Sequence, residues 1–264
     1  MAKLTRQQAT ALLLDGVRLD VQDGAAVHGL LERQFEAAVR HRTAVLSGLA
    51  EQLTPLLDAL EALGGKPVAK AIAQLAISKG QAGEVAVDAA LRGAPAGPAG
   101  EVYTGVLYDR LGLPELSARA RQRVLIASAL WGVVRPDDRI PYYRFSAKAR
   151  LDGIGPLAAF WRPALAAALP DEEGSLVVDM RSGAYAAAWK PKRATLLAVR
   201  AFSEEGGRRK PVSHMAKAVR GEVARALLRS RKLPRDAESA AAVAEAAGFR
   251  VELSDGYLDA IVTA

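Results

Sequence analysis

The chain of 264 residues contains no cysteine. Disulfides, thiolate metal sites, iron–sulfur clusters and cysteine nucleophiles are thereby excluded. It has three histidines, His28, His41 and His214, far apart in sequence. A three-histidine metal centre would need all of them to converge, so no metal site is expected. No run approaches the roughly 20 apolar residues of a membrane helix. The N-terminal MAKLTRQQATALLLDG lacks a long apolar core and a small-residue cleavage site, and is expected not to be a signal peptide. The phosphate loop G-x-x-x-x-G-K-[ST], the dinucleotide fingerprint G-x-G-x-x-G, the zinc signature H-E-x-x-H and the nucleophile elbow G-x-S-x-G are all missing. No cofactor is expected, and no membrane partner.

What the chain has is positive charge, unevenly placed. The formal net charge is +7. Residues 1–100 carry 10 basic and 10 acidic side chains, so the whole excess lies beyond residue 100. Within 190–232 there are 13 basic residues against Glu204, Glu205 and Glu222. Such a surface attracts phosphate-bearing partners. An arginine-rich solvated surface accounts equally well for the same count.

Periodicity points to a mixed α/β chain. Apolar residues at three- and four-residue spacing predict helix over 5–63, interrupted at Asp23-Gly24 and closed by Gly64-Gly65. A helical pair follows over 66–92, broken at Ser78-Lys79-Gly80. The Gly/Pro-rich stretch 93–100 predicts a loop or a domain boundary. Beyond it we expect helices over 115–133, 156–169, 214–230 and 237–247. Strands are expected over 176–180 and 196–202, and a closing hairpin over 249–253 and 257–262.

Three short segments concentrate side chains that are costly to bury unpaired. They are VYTG (102–105), SALWGVVRPDDRIPYYR (128–144) and SHMAKAVRG (213–221). In the second, Gly132 is expected to stop a helix and Pro136 to prevent its resumption. Arg135, Tyr143 and Arg144 then either hold an anion, or Arg135 pairs with Asp137 or Asp138 and caps the helix. LVVDMRSGAY (176–185) places Asp179 and Ser182 just past a strand, where open α/β sheets carry ligands. Asp179 could also simply cap the following helix. In the third segment Ser213 is a candidate N-cap. Lys217, Arg220, Arg225 and Arg229 form either a phosphate-tracking face or an ordinary solvated one. Residues 75–90 loosely outline a helix–hairpin–helix, in which backbone amides hold a DNA phosphate.

At these residues the chain resembles the YaaA family of peroxide stress response proteins. The matching elements are EVYTG (101–105), SALWGVVRP (128–136) continuing to Tyr143-Arg144, Asp179 to Tyr185 followed by Lys190-Pro191, and Ala216-Lys217 with Arg220-Gly221. The likeness covers roughly residue 53 to the C-terminus. It implies a single mixed α/β domain of the family's own type, with a helical N-terminal part and a mostly C-terminal sheet flanked by helices. It also implies a cytoplasmic protein that limits iron-driven damage during peroxide stress, and binding of double-stranded or branched DNA through a helix–hairpin–helix-like element and a basic cleft. Family members usually open with a hydrophobic strand and a Pro-Ser-x-x-Lys-like segment. This N-terminus is expected to have neither, and to be helical and peripheral over its first 50 residues. Ala218-Val219 stands where the family commonly carries Lys-Ala.

Two functional classes follow. A DNA-binding stress protein would use Lys190, Lys192, Arg193, Lys217, Arg220 and Arg225 for phosphate contacts. An enzyme on a small anionic or nucleoside-like substrate would gather Tyr103, Thr104, Ser128, Arg135, Tyr143, Arg144, Asp179, Ser182 and Tyr185, with Lys217, around one pocket. A degenerate member keeping only the fold is a third reading.

Overall fold

A computed structural model describes residues 10–15, 33–34, 49, 52–205, 208–211 and 215–263. His28, His41, Ser213 and His214 lie outside the described residues. The expectations placed on them, including the Ser213 cap, lie outside as well.

The architecture is mixed α/β around one large sheet with strand order β12-β13-β10-β9-β1-β4-β5, in which β11 also pairs with β10. Its strands are β1 (Thr10–Asp15), β4 (Val124–Ser128), β5 (Gly132–Val134), β9 (Leu176–Asp179), β10 (Thr195–Glu205), β11 (Arg208–Pro211), β12 (Arg250–Ser254) and β13 (Tyr257–Thr263). Five of them, β4, β1, β9, β10 and β13, run parallel. β5, β11 and β12 are antiparallel additions. Parallel strands are covered on both faces and so carry continuous apolar runs. VLIAS of β4 and LVVD of β9 are buried at every position.

Three expectations are corrected here. Residues 10–15 form β1, a strand in the middle of the sheet, instead of part of a peripheral helix. Leu12 pairs with Val124 on one side and with Val178 on the other. The absence of an N-terminal strand is therefore overturned as well. Residues 115–133 are not one helix. They hold a four-residue helix, α6 (Ala118–Arg121), then β4 and the start of β5. Gly132, at φ 69°, opens β5 and does not end a helix. A continuous apolar run of this length is compatible with either structure, because periodicity cannot separate a doubly covered strand from a buried helix. Last, the Gly/Pro stretch 93–100 is not simply a loop. Pro95–Pro98 is β3, which lies between β2 (Arg33–Gln34) and β6 (Arg139–Pro141) in a small second sheet.

The longer remaining helices fall where periodicity puts them. They include α1 (Leu53–Glu61), α2 (Val68–Leu75), α3 (Glu84–Ala89), α7 (Leu157–Ala168), α9 (Ala216–Arg229) and α10 (Ala237–Ala246). The short helices α4 (Ala99–Val102), α5 (Val106–Leu111) and α8 (Gly183–Ala186), with the ribbon β7 (Arg150–Leu151) and β8 (Gly155–Pro156), complete the described fold. Trp161 on α7 is buried against the β4–β5 turn and donates from Nε1 to the Ala129 carbonyl at 2.9 Å.

Helices α5 and α9 touch backbone to backbone at Gly221. A Cβ there would lie 2.3 Å from the Leu107 carbonyl oxygen and 2.9 Å from Arg110 Cβ. Gly221→Ala should therefore force the helices apart, at a cost of roughly 1–3 kcal/mol. Gly83→Ala is the control, since nothing lies within 4 Å of its Cβ position and its φ is −62°. It should be neutral or stabilising by about 0.4–1 kcal/mol. Thermal melts followed by circular dichroism check the pair, and equal melting temperatures would refute the close approach.

Candidate functional site

The chain leaves β1 to form β4 on one side, and later returns to form β9 on the other side of β1. Crossovers on either side of a strand open a crevice at the carboxyl ends, the usual ligand position in such sheets. Ser128 ends β4 and Asp179 ends β9. These two residues are thus brought to one end of the sheet from positions 51 apart in sequence.

A hydroxyl cluster forms around Ser128. Its Oγ lies 2.7 Å from the Tyr143 hydroxyl, which lies 2.8 Å from that of Tyr103. Ser128 Oγ also accepts the Trp131 backbone N–H at 2.9 Å, fixing the turn into β5. Tyr103 and Tyr143 pack edge to face, with ring centroids 6.2 Å apart. Burial pushes both phenols above their ordinary range, Tyr103 well above it. Both rings therefore stay protonated as hydrogen-bonding groups. Thr104, next in sequence, is half-buried and enters no side-chain hydrogen bond among the described residues.

The second cluster is an ion pair missed in the sequence. Arg181, with its side chain 2% exposed, binds Asp179 through both nitrogens of its fork, Nε to Oδ1 and Nη2 to Oδ2, each at 2.8 Å. Nη2 also donates to the Trp189 carbonyl at 2.9 Å, and Nη1 to that of Tyr185 at 3.4 Å. Asp179 thus holds an arginine and does not cap α8. Ser182 occupies the N-cap position without a capping hydrogen bond. The available signal was DMR itself, an acid and an arginine two residues apart at a strand end. Between the two clusters and α7 lies an apolar cleft touching Ser128, Gly132, Trp161, Arg181 and Tyr185, with free space of about 20 Å³. That is room for a single water.

Asp88, on α3, was also missed. It is fully buried, accepts the Arg144 backbone N–H at 2.7 Å through Oδ1, and leaves Oδ2 without a hydrogen-bond partner. Burial raises its pKa to about 7; Glu84 adds to the rise, and the Arg144 backbone and charge oppose it. The neighbouring Tyr142 hydroxyl donates to Glu84 at 3.1 Å.

The cations divide by position. Arg135 sends Nη1 to the Gln122 carbonyl, while its backbone N–H donates to Asp138 at 2.7 Å. Asp137 pairs instead with Arg121. Arg220 donates to the carbonyls of Val199 at 3.0 Å and Met180 at 3.5 Å, bracing α9 against the carboxyl end of β9. Arg225 is committed to the Leu111 carbonyl and to Glu115. Lys190, Lys192, Arg193 and Lys217 are exposed. They do not share one edge of the sheet. Lys190 follows Trp189, beside Arg181, and Lys217 lies one turn before Arg220. Lys192 and Arg193 lead into Thr195, which pairs with the first residue of β9, and their amides are held by Asp171 Oδ1. They therefore lie toward the amino ends of the strands. Among the described residues no group of three or more His, Asp or Glu is placed to hold a metal ion.

The family model described as "Peroxide stress protein YaaA" matches residues 32–253. A UPF0246 protein of Streptomyces coelicolor is 43% identical over 215 residues, covering 78% of this chain and 82% of its own length. UPF0246 proteins of Corynebacterium glutamicum and Corynebacterium efficiens are 36% and 37% identical over 198 residues, covering 74% of this chain and 80% of their own.

Asp88 gives a signed pH prediction. Between about pH 4 and pH 7 the folded protein keeps a proton on Asp88 that the unfolded chain, with a carboxyl near 3.8, has released. This contribution to stability is full below about pH 4 and is lost as pH rises to about 7. Asp88→Asn keeps an acceptor for the Arg144 amide and removes that slope. Its stability relative to the parent should rise between pH 4 and pH 8, by up to about 4 kcal/mol. Urea titrations of both proteins across this range provide the measurement, and parallel curves would contradict it.

Proposed function

The chain belongs to the YaaA family of peroxide stress proteins, and on that premise we propose that it binds duplex DNA electrostatically and thereby limits iron-driven oxidative damage to it. The observation supporting this reading is the set of exposed cations Lys190, Lys192, Arg193 and Lys217. None of them takes an ion pair among the described residues. A cation without an acidic partner loses little by neutralising a phosphate, whereas Arg220 and Arg225 would first have to abandon carbonyls and Glu115. In this proposal the two arginines position α9 and Lys217 makes the contact.

The helix–hairpin–helix element has less support. Leu75 ends α2, a short turn follows at Lys79–Gln81, and α3 begins at Glu84. The outline matches, but an acid in the first turn of the second helix repels a phosphate held there.

A second reading has its own observation: the hydroxyl cluster and the Asp179–Arg181 pair stand where two crossovers diverge. In that reading a small anionic or nucleoside-like ligand enters the cleft beside Ser128 and Tyr185. Space of about 20 Å³ requires α7 or α8 to move first, because ligand sites usually offer roughly 300 Å³ or more.

Fluorescence anisotropy with a labelled duplex tests the DNA proposal. Affinity should fall steeply with salt and depend little on sequence. Lys217→Ala should weaken binding a few-fold, leave the melting temperature unchanged and reduce the salt slope by about one. Arg220→Ala should instead lower the melting temperature, through the carbonyls it abandons. Binding that is insensitive to both salt and Lys217 would reject the surface.

A further inference from the structure

The carboxyl ends of the strands carry the clusters described above, but a polar hollow lies at the other end. It sits where α6 leads into β4 and the last turn of α9 comes alongside. It is lined by Arg119, Arg123, Arg229 and Arg231, with Ser117 and Glu115 at its edge, and encloses about 420 Å³. Four arginines thus face one carboxylate, and that carboxylate is already engaged by Arg225.

Arg123 is the informative member. It is 9% exposed, and its guanidinium makes no hydrogen bond or ion pair among the described residues. Burial lowers its pKa, and the charge of Arg119 lowers it further. Its stem is covered while its guanidinium opens into the hollow, where it meets the like charge of Arg119. The covalent surroundings do not require it. Gln122 and Val124, its neighbours, are placed by α6 and by β4. An anion seated among these arginines would offset their mutual repulsion.

We infer that this hollow is a binding site for a compact, multiply phosphorylated small molecule, held by the forks of Arg119, Arg123, Arg229 and Arg231. The volume lies within the range of small-ligand sites. Four charges within it call for more than one phosphate, and guanidinium forks bind phosphate oxygens in pairs. The rest of the lining is aliphatic or small and includes no aromatic ring. It therefore offers no stacking platform for a base, and recognition rests on the phosphates. The site goes beyond the DNA proposal and does not depend on it, since it uses none of Lys190, Lys192, Arg193 or Lys217.

The test uses inorganic tripolyphosphate as the probe, in isothermal titration calorimetry and thermal melts of the full chain. Tripolyphosphate should bind with one-to-one stoichiometry, raise the melting temperature and bind more tightly than orthophosphate. Arg123→Gln should weaken it at least tenfold, and Arg123→Lys several-fold, because lysine keeps the charge and loses the fork. Lys148→Gln, an exposed charge elsewhere, should leave it unchanged. Without ligand, Arg123→Gln should melt at or above the parent temperature; a purely structural arginine would give a drop. The inference is overturned if tripolyphosphate does not bind at low ionic strength, or if Arg123→Gln binds it as the parent does. It is equally overturned if a 20-base-pair duplex displaces it from the parent, which would give the hollow to DNA. Loss of duplex binding in Lys217→Ala with tripolyphosphate binding intact would support the separation of the two sites.

Discussion

The insertion of Thr10–Asp15 between β4 and β9 is the constraint on which the rest of the large sheet depends. Without β1 the sheet would divide into a β4–β5 hairpin and a separate β9 to β13 group, because no other described strand bridges them. Its two parallel neighbours also set the register that brings Ser128 and Asp179 to one end. The hydroxyl cluster and the buried ion pair are therefore consequences of strand order. A strand with parallel neighbours on both sides commonly carries a continuous apolar run, and β1 has one in ALLL.

The arginines make a second pattern. Arg181, Arg220, Arg225 and Arg135 each send part of the guanidinium to backbone carbonyls of other segments. They act as cross-links, satisfying acceptors that would be costly to leave bare. Arg123, Arg119 and Arg231 receive no such acceptor among the described residues. The net charge of +7 thus overstates the charge open to a partner on the helix face and understates its concentration at the amino ends of the strands. Composition weighs every arginine alike, whereas only those without an internal acceptor are free to meet an anion.

The amphipathic helices α1, α7, α9 and α10 were legible because a one-sided apolar stripe has a period of its own. The closing hairpin was legible from Asp255-Gly256, where Gly256 takes φ 72°. β1 and β4 were not: β4 is buried at every position and β1 carries the unbroken run ALLL, so neither shows an alternation to reveal it. β9, of the same kind, was recognised as a short apolar run leading to Asp179 and Ser182. β3 was hidden differently. Its Pro and Gly argue against a strand, yet it is held between β2 and β6 by partners remote in the chain.

Within the site, the sequence alone determined which segments would carry polar chemistry, since VYTG, SALWG and DMRSGAY hold groups too costly to bury without partners. It also determined that the charge would lie beyond residue 100. Only the tertiary structure decided the pairings: Tyr143 with Ser128 and Tyr103, Asp179 with Arg181, Asp88 with the Arg144 amide. It alone left Arg123 without an acceptor. Residue type fixes how much a buried polar group must gain from a partner, but which partner arrives depends on strand order and on contacts between residues tens of positions apart.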